Sequence, residues 1–225
     1  MTETVDKLKD QLSGLKEKYD KIEEINKGLN DRLLELYLLY QISVTLSKSL
    51  DLDDIVRSIR NLFRKTFNVN QYSLMLLDDT SDQLHIKSSF GIPKNVTRNQ
   101  YYEYGVNIFG KALEKQKMIY IPDLAKDKKY SYYNPEIQYD QGSFLSIPLK
   151  PENGPPIGVI NLYRTQKKAF SNQERTLLGK VAEQIGKVVE KTLLYKHTKE
   201  LSITDELTGL YNRRYLNQRL EREVV

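Results

Sequence analysis

From Val5 to Tyr40 the chain repeats every seven residues. Val5, Leu12, Tyr19, Asn26, Leu33 and Tyr40 take the first core position of the heptad, and Leu8, Leu15, Ile22, Leu29 and Leu36 the fourth. Ten of these eleven positions are apolar or aromatic. Such a seam commits the segment to a long helix that buries its stripe against a matching one. Asn26 is the one polar core residue. Asn at this position favours two parallel strands in one register, because the two side chains hydrogen-bond only when level. Lys18 would face Glu23 of the partner across the seam. The pattern therefore predicts a parallel homodimer. Gly14 and Gly28 each weaken the helix by about 1 kcal/mol relative to Ala. Towards Leu46 the apolar residues Leu34, Tyr37, Leu38, Leu39, Ile42 and Val44 spread round the helix. That widening predicts passage from a two-stranded seam to a buried bundle position.

Composition narrows the function classes. Charged residues make up 29% and hydrophobic residues 39%, a balance that suits one domain with long exposed helices. No apolar run approaches bilayer length, and Thr2–Asp10 is too polar for a secretion signal, so a cytoplasmic protein with no membrane association is expected. With no cysteine there is no disulfide, thiolate nucleophile or thioether-linked chromophore. His85 and His197 lie far apart and lack neighbouring ligands, so no metal site is expected. Residues 48–170 carry 18 basic and 13 acidic side chains and so hold the positive excess. The excess is spread out rather than concentrated in a stripe, which points to a small anion and away from nucleic acid.

The middle of the chain reads as an α+β domain. Asp51 is placed to cap an amphipathic helix Leu52–Phe67, with Ile55, Ile59, Leu62 and Phe63 on one face. Tyr72–Leu77 and Leu84–Phe90 form a predicted hairpin across Asp78–Gln83. A short helix at Gly110–Gln116 and a strand at Met118–Ile121 follow, then an irregular stretch, Ala125–Gln141. Phe144–Leu149 and Ile157–Tyr163 form a second hairpin. Ser171 with Glu174 makes a capping box for the next helix. Strands bracketed by helices predict one antiparallel sheet.

The order of short motifs across Leu50–Glu190 resembles GAF domains. The motifs are Phe90-Gly91-Ile92-Pro93, Gly105–Ala112, Met118–Asp123, Phe144–Leu149 and Ile157–Leu162. The related PAS fold lacks the last hairpin pattern. The resemblance implies a GAF-like antiparallel sheet flanked by helices, with long coiled-coil helices at both ends. It also implies a small-molecule pocket. Cyclic-nucleotide-binding members share an Asn-Lys-x-x-Phe-x3-Asp-Glu signature of variable spacing. Asn161, Phe170 and Glu174 match it, whereas Leu162 and Gln173 replace the Lys and Asp. Helix-start packing and capping account better for Phe170 and Glu174.

Eight of the sixteen tyrosines fall between Tyr101 and Tyr139, where the resemblance places the pocket wall and lid. Tyrosine offers a face to a base and a hydroxyl to a sugar or phosphate. Gly105 and Gly110 flank a helix start, whose free N–H groups favour an anion. These residues suggest a cyclic purine nucleotide, cAMP or cGMP. The phosphate would sit at Asn107, Ile108, Phe109 and Gly110, and the base against Phe90 or the lid residues Tyr130, Tyr133 and Tyr139. Asp123 and Gln138 are candidates for the base edge. The same tyrosines could instead pack a long loop onto the sheet. Two other readings stand beside this one: a ligand-free dimerisation spacer, and a haem sensor using His85.

From Leu177 to Ser202 no proline interrupts a helical pattern, with Val181, Ile185, Val188, Thr192 and Tyr195 on one stripe. It leads to Asp205-Glu206-Leu207-Thr208-Gly209-Leu210-Tyr211-Asn212-Arg213-Arg214. This run resembles the opening DxLTGLxNRR motif of GGDEF domains, the diguanylate cyclases that make cyclic di-GMP. The expected organisation is a coiled-coil helix at 1–47, a GAF domain at 48–180, a signalling helix at 181–203 and the start of a GGDEF domain at 204–225. No Gly-Gly pair occurs, so the family's catalytic loop is missing here and no turnover of GTP is expected from this chain.

Overall fold

The computed structural model describes residues 2–78, 80–94, 101–130, 139, 141–203, 210, 212, 213, 215, 216 and 220. The chain separates into two compact units, Met1–Gln41 and Ile42–Val225.

The first unit is helical throughout its described residues, as part of helix α1 (Thr2–Leu46). Its seam residues Leu12, Leu15, Tyr19, Ile22, Leu29, Leu33 and Leu36 are all exposed. In the second unit the end of α1 buries Ile42 and Leu46. The predicted widening is therefore real at its last two turns. Val44 nevertheless stays exposed, and Leu38 and Leu39 are only half-buried.

Helix α2 (Leu52–Thr66) starts where Asp51 predicts, its side chain accepting from the N–H groups of Asp53 and Asp54. Its buried face is Ile55, Val56, Ile59 and Phe63. Leu62 was expected there, but Val56 takes the place and Leu62 is half-buried. One residue of rotation decides this, because neighbouring helical positions lie about 100° apart.

Among the described residues six strands form one antiparallel sheet. They are β1 (Gln71–Asp78), β2 (Gln83–Phe90), β3 (Tyr101–Glu103), β4 (Ile119–Ile121), β5 (Ser143–Leu149) and β6 (Gly158–Arg164). Their order is β3-β2-β1-β6-β5-β4. Both predicted hairpins are present. Strand β3 was not expected: it is three residues long and exists through its pairing with Gln83–His85. Helix α3 runs from Ile108 to Glu114, two residues earlier than predicted, because Asn107 caps it. A single 3₁₀ turn, Leu124–Lys126, follows β4.

Helix α4 (Asn172–Ile203) begins after Ser171, whose hydroxyl accepts from the Glu174 N–H at 3.1 Å. The other half of the predicted capping box is replaced. The Glu174 carboxylate instead receives two hydrogen bonds from Arg164.

Strand alternation divides the core between the two sheet faces. Tyr72, Leu74 and Leu76 of β1 share the face covered by α2 and α4, where Tyr72 stacks on Phe63 at 5.1 Å. Ser73 and Met75 share the opposite face, which α3 covers.

Candidate functional site

The face under α3 is built from cross-strand ranks. Gln71, Tyr163 and Phe144 form one rank across β1, β6 and β5. Ser73, Asn161 and Ser146 form the next, and Met75, Val159 and Pro148 the third. The middle rank is polar and wholly buried. Ser146 Oγ donates to Asn161 Oδ1 at 2.7 Å, and Asn161 Nδ2 donates to Ser73 Oγ at 3.1 Å. Burying three polar side chains is costly unless they bond one another, and here the chain of hydrogen bonds meets that cost.

Aromatic rings roof the first rank. The ring of Tyr139 lies 4.9 Å from Tyr163 and 6.2 Å from Phe144. Its hydroxyl donates to Gln71 Oε1 at 2.8 Å. Phe109 meets Tyr102 edge-on at 5.2 Å and approaches Phe144 at 6.2 Å. Burial pushes the Tyr102 hydroxyl up to about 12. The Tyr139 hydroxyl is raised further, by burial first and then by the neighbouring Tyr163 and Tyr102. Both therefore act as neutral hydrogen-bonding groups near neutral pH.

Several of the predicted site residues meet on this face. Ile108 and Phe109 belong to its apolar cluster, and Tyr130 and Tyr139 pack against it. Asn107 sits at the start of α3, but its role differs from the expectation. Its Oδ1 accepts from the N–H groups of Phe109 at 3.1 Å and Gly110 at 3.0 Å. The donors expected to hold a phosphate are thus occupied by the protein's own cap. Gly110 is needed for packing: a Cβ there would stand 2.4 Å from Gly105 N and 2.6 Å from Glu103 O.

Phe90 is not brought to this cluster. It pairs opposite Tyr72 and stacks on it at 5.2 Å, on the α2 side of the sheet. The β-bulge in the hairpin leaves this end of β2 in phase with Tyr72. Asp123 precedes the 3₁₀ turn after β4 and pairs with Lys167 at 3.1 Å, while its Oδ1 is buried without a hydrogen-bond partner. Tyr133 and Gln138 lie outside the described residues. The signature positions Phe170 and Glu174 serve the fold. Phe170 is buried with the Arg164 guanidinium 4.4 Å above its ring, and Glu174 holds that same guanidinium.

His85 lies half-buried in β2 beside Tyr101. Among the described residues no group of three His, Asp or Glu side chains could hold a metal ion. None of the described helices is long and apolar enough to cross a membrane. Ser73 and Ser146 escaped the sequence reading. Their signal was a polar residue inside an apolar strand, and only the register shows that both flank Asn161.

Of the run Asp205–Arg214, Leu210, Asn212 and Arg213 are described and the rest lies outside the described residues. Asn212 returns to the end of α4, its N–H donating to the Ile203 carbonyl at 2.8 Å. Its Oδ1 accepts from the Tyr215 N–H at 3.0 Å.

Comparison with known proteins agrees with this architecture. The GAF domain family profile matches residues 49–190. The chain is 28% identical over 198 residues to the Nif-specific regulatory protein of Herbaspirillum seropedicae, a match covering 81% of this chain and 36% of that protein. The chain thus spans about a third of that relative's length. Among solved structures, the GAF domain of an Acinetobacter phosphoenolpyruvate-protein phosphotransferase superposes with a TM-score of 0.62 at 19% identity. That similarity covers 72% of this chain and 95% of the other. The free methionine-R-sulfoxide reductase of Neisseria meningitidis, solved with its substrate, gives 0.61 at 18% identity, covering 72% and 92%. At such identities the structures speak for the fold alone. The extent of the family match settles the assignment: this chain belongs to the GAF domain family.

Proposed function

We propose that this chain is the regulatory region of a diguanylate cyclase, in which the GAF domain sets the activity of a C-terminal cyclase domain through α4. The observation that carries this reading is the contact between Asn212 and Ile203. It ties a residue of the DxLTGLxNRR run to the last residue of a helix that starts at the sheet. A helix of 32 residues without a break can pass a rotation or shift from one end to the other. Two cyclase domains must face each other across a dimer, so a small change in helix pairing changes turnover. The relative in Herbaspirillum is by name a regulator, which fits the same role.

Within this reading the ligand is a cyclic purine nucleotide on the α3 face, its base against the rings of Tyr102, Phe109 and Tyr139. The Ser73–Asn161–Ser146 row, buried and bonded to itself, has to open to offer polar groups to the base edge. A phosphate at the start of α3 has to displace the Asn107 cap. The competing reading, a ligand-free dimerisation module, draws on a specific observation: on this face the aromatic rings pack on one another and the polar row bonds to itself.

The test is an assay of the natural full-length protein for cyclic di-GMP formation from GTP, with and without cAMP and cGMP. Formation of cyclic di-GMP supports cyclase control, and its absence rejects it. A change with either nucleotide, matched by calorimetric binding to this chain, supports the ligand. Neither effect at millimolar nucleotide leaves the dimerisation module.

A further inference from the structure

On the other face of the sheet, a cavity of about 510 Å³ opens between α2 and β2. Asp53, Arg57 and Arg60 line it from the helix, and Lys87, Ser88 and Ser89 from the strand. Arg57 and Arg60 are three residues apart and so share one helical face. The strand side owes its arrangement to a β-bulge. Leu74 pairs with Ser88 and Met75 with Ile86, which leaves Lys87 as the extra residue. A bulge re-aims side chains and often sits beside a site. Here it sets an ammonium group and the Ser88 hydroxyl against the arginines of α2.

Two buried groups at this place lack an acceptor. Arg60 Nε is buried with no hydrogen-bond partner, and so is the Tyr72 hydroxyl. Tyr72 is fully buried. Its hydroxyl lies by Arg60 and Ser88, close enough for both to influence its ionisation, yet without a well-formed hydrogen bond. Buried donors left unpaired are uncommon and costly. Arg57 is held by Asp54, whereas neither Arg60 nor Lys87 is in an ion pair among the described residues. Asp53 is the carboxylate on the rim, set against three cations.

We propose that this cavity binds the phosphoryl group of a small soluble molecule, held by Arg60 and Lys87 with Ser88 as a further donor. The oxygens of a phosphoryl group match a guanidinium fork, a mobile ammonium and a hydroxyl together. Its charge agrees with the positive excess of residues 48–170. This site is separate from the α3 face, so its ligand need not be the one that face takes.

Calorimetry of the whole chain with pyrophosphate, at constant ionic strength, tests the proposal. Wild type should show saturable binding. Arg60→Gln and Lys87→Gln should each weaken it about tenfold, as loss of one charge-assisted hydrogen bond implies. Arg64→Gln, on the same helix but outside the cavity, should leave binding unchanged. Lys87 is exposed, so its variant stays informative if the Arg60 variant folds poorly. No saturable binding at millimolar pyrophosphate overturns the proposal. So does equal weakening by Arg64→Gln, which would show diffuse charge attraction, or equal affinity for succinate, which would show no phosphoryl preference.

Discussion

Arg164, the last residue of β6, grips Glu174 in the first turn of α4 through both terminal guanidinium nitrogens, with a closest approach of 2.5 Å. The same guanidinium donates to the carbonyls of Asn68 and Ala169, each at 2.6 Å, and covers the Phe170 ring. The side chains are 11% and 25% exposed, so the pair is mostly shielded from water. It fastens the central sheet to the start of the long helix that leaves the domain.

Glu174→Gln should therefore cost about 1–3 kcal/mol, since it leaves a shielded guanidinium without its carboxylate. Arg164→Lys should cost nearly as much, because an ammonium cannot reproduce a planar fork with several partners. Urea unfolding of both variants checks this. Midpoints within error of wild type would show that the pair holds nothing.

Two glycines in helices should respond oppositely to alanine. Gly28 has nothing within 4 Å of a built Cβ, so Gly28→Ala should stabilise α1 by about 1 kcal/mol through helix propensity. At Gly186 a Cβ would stand 2.2 Å from the Lys150 carbonyl oxygen. Gly186→Ala should destabilise by about 1–3 kcal/mol, because α4 must lift off the end of β5. Thermal melts of the two variants should shift in opposite directions.

The exposed seam of α1, with Leu15, Ile22, Leu29 and Leu36 all open to solvent, leads us to expect a parallel dimer. Light scattering at micromolar concentration should give twice the mass of the chain. Asn26→Leu should raise the melting point while loosening the choice of oligomer. A wild-type monomer would remove the basis for this expectation.

Asp78, at the turn between β1 and β2, takes hydrogen bonds from the Thr80 hydroxyl and from the N–H groups of Thr80 and Ser81. These lower its carboxyl from 3.8 to about 2. The folded value lies below the unfolded one, so its support for the hairpin is complete above 3.8 and fades as pH falls through about 2. An NMR titration of the Asp78 carboxyl carbon should find its midpoint well below 3.8. A midpoint at the ordinary value contradicts the turn geometry.

At the alkaline end the sign reverses. Burial raises Tyr102 to about 12 and raises Tyr139 and Tyr72 as well, all above the ordinary 10.0. Folding holds these protons, so the stability they confer is present below pH 10.0 and is lost as pH climbs through the folded values. Tyrosinate absorbance should rise in two stages, exposed tyrosines first and the buried ones with unfolding. A single stage near the ordinary value would mean that the ring cluster is open to water.

Local pattern alone determined much of this protein. The heptad named α1, Asp51 named the start of α2, and alternation with turn residues named both hairpins, because each signal depends on residues a few positions apart. The GAF assignment was also readable, from short motifs in a fixed order. Register and face were not readable. Ser73, Asn161 and Ser146 are separated by 88 and 15 positions in the chain, and only the pairing of β1, β6 and β5 makes them one hydrogen-bonded row. Phe90 was a candidate for the base contact, but register sets it opposite Tyr72 on the α2 side, since a strand of period two changes face with every residue and a bulge resets the count. Asn107 was read as part of an anion site, but the fold uses it to cap α3. Glu174 was read as half of a capping box, yet tertiary packing brought it an arginine from another element. A charged guanidinium outcompetes a backbone N–H for a carboxylate.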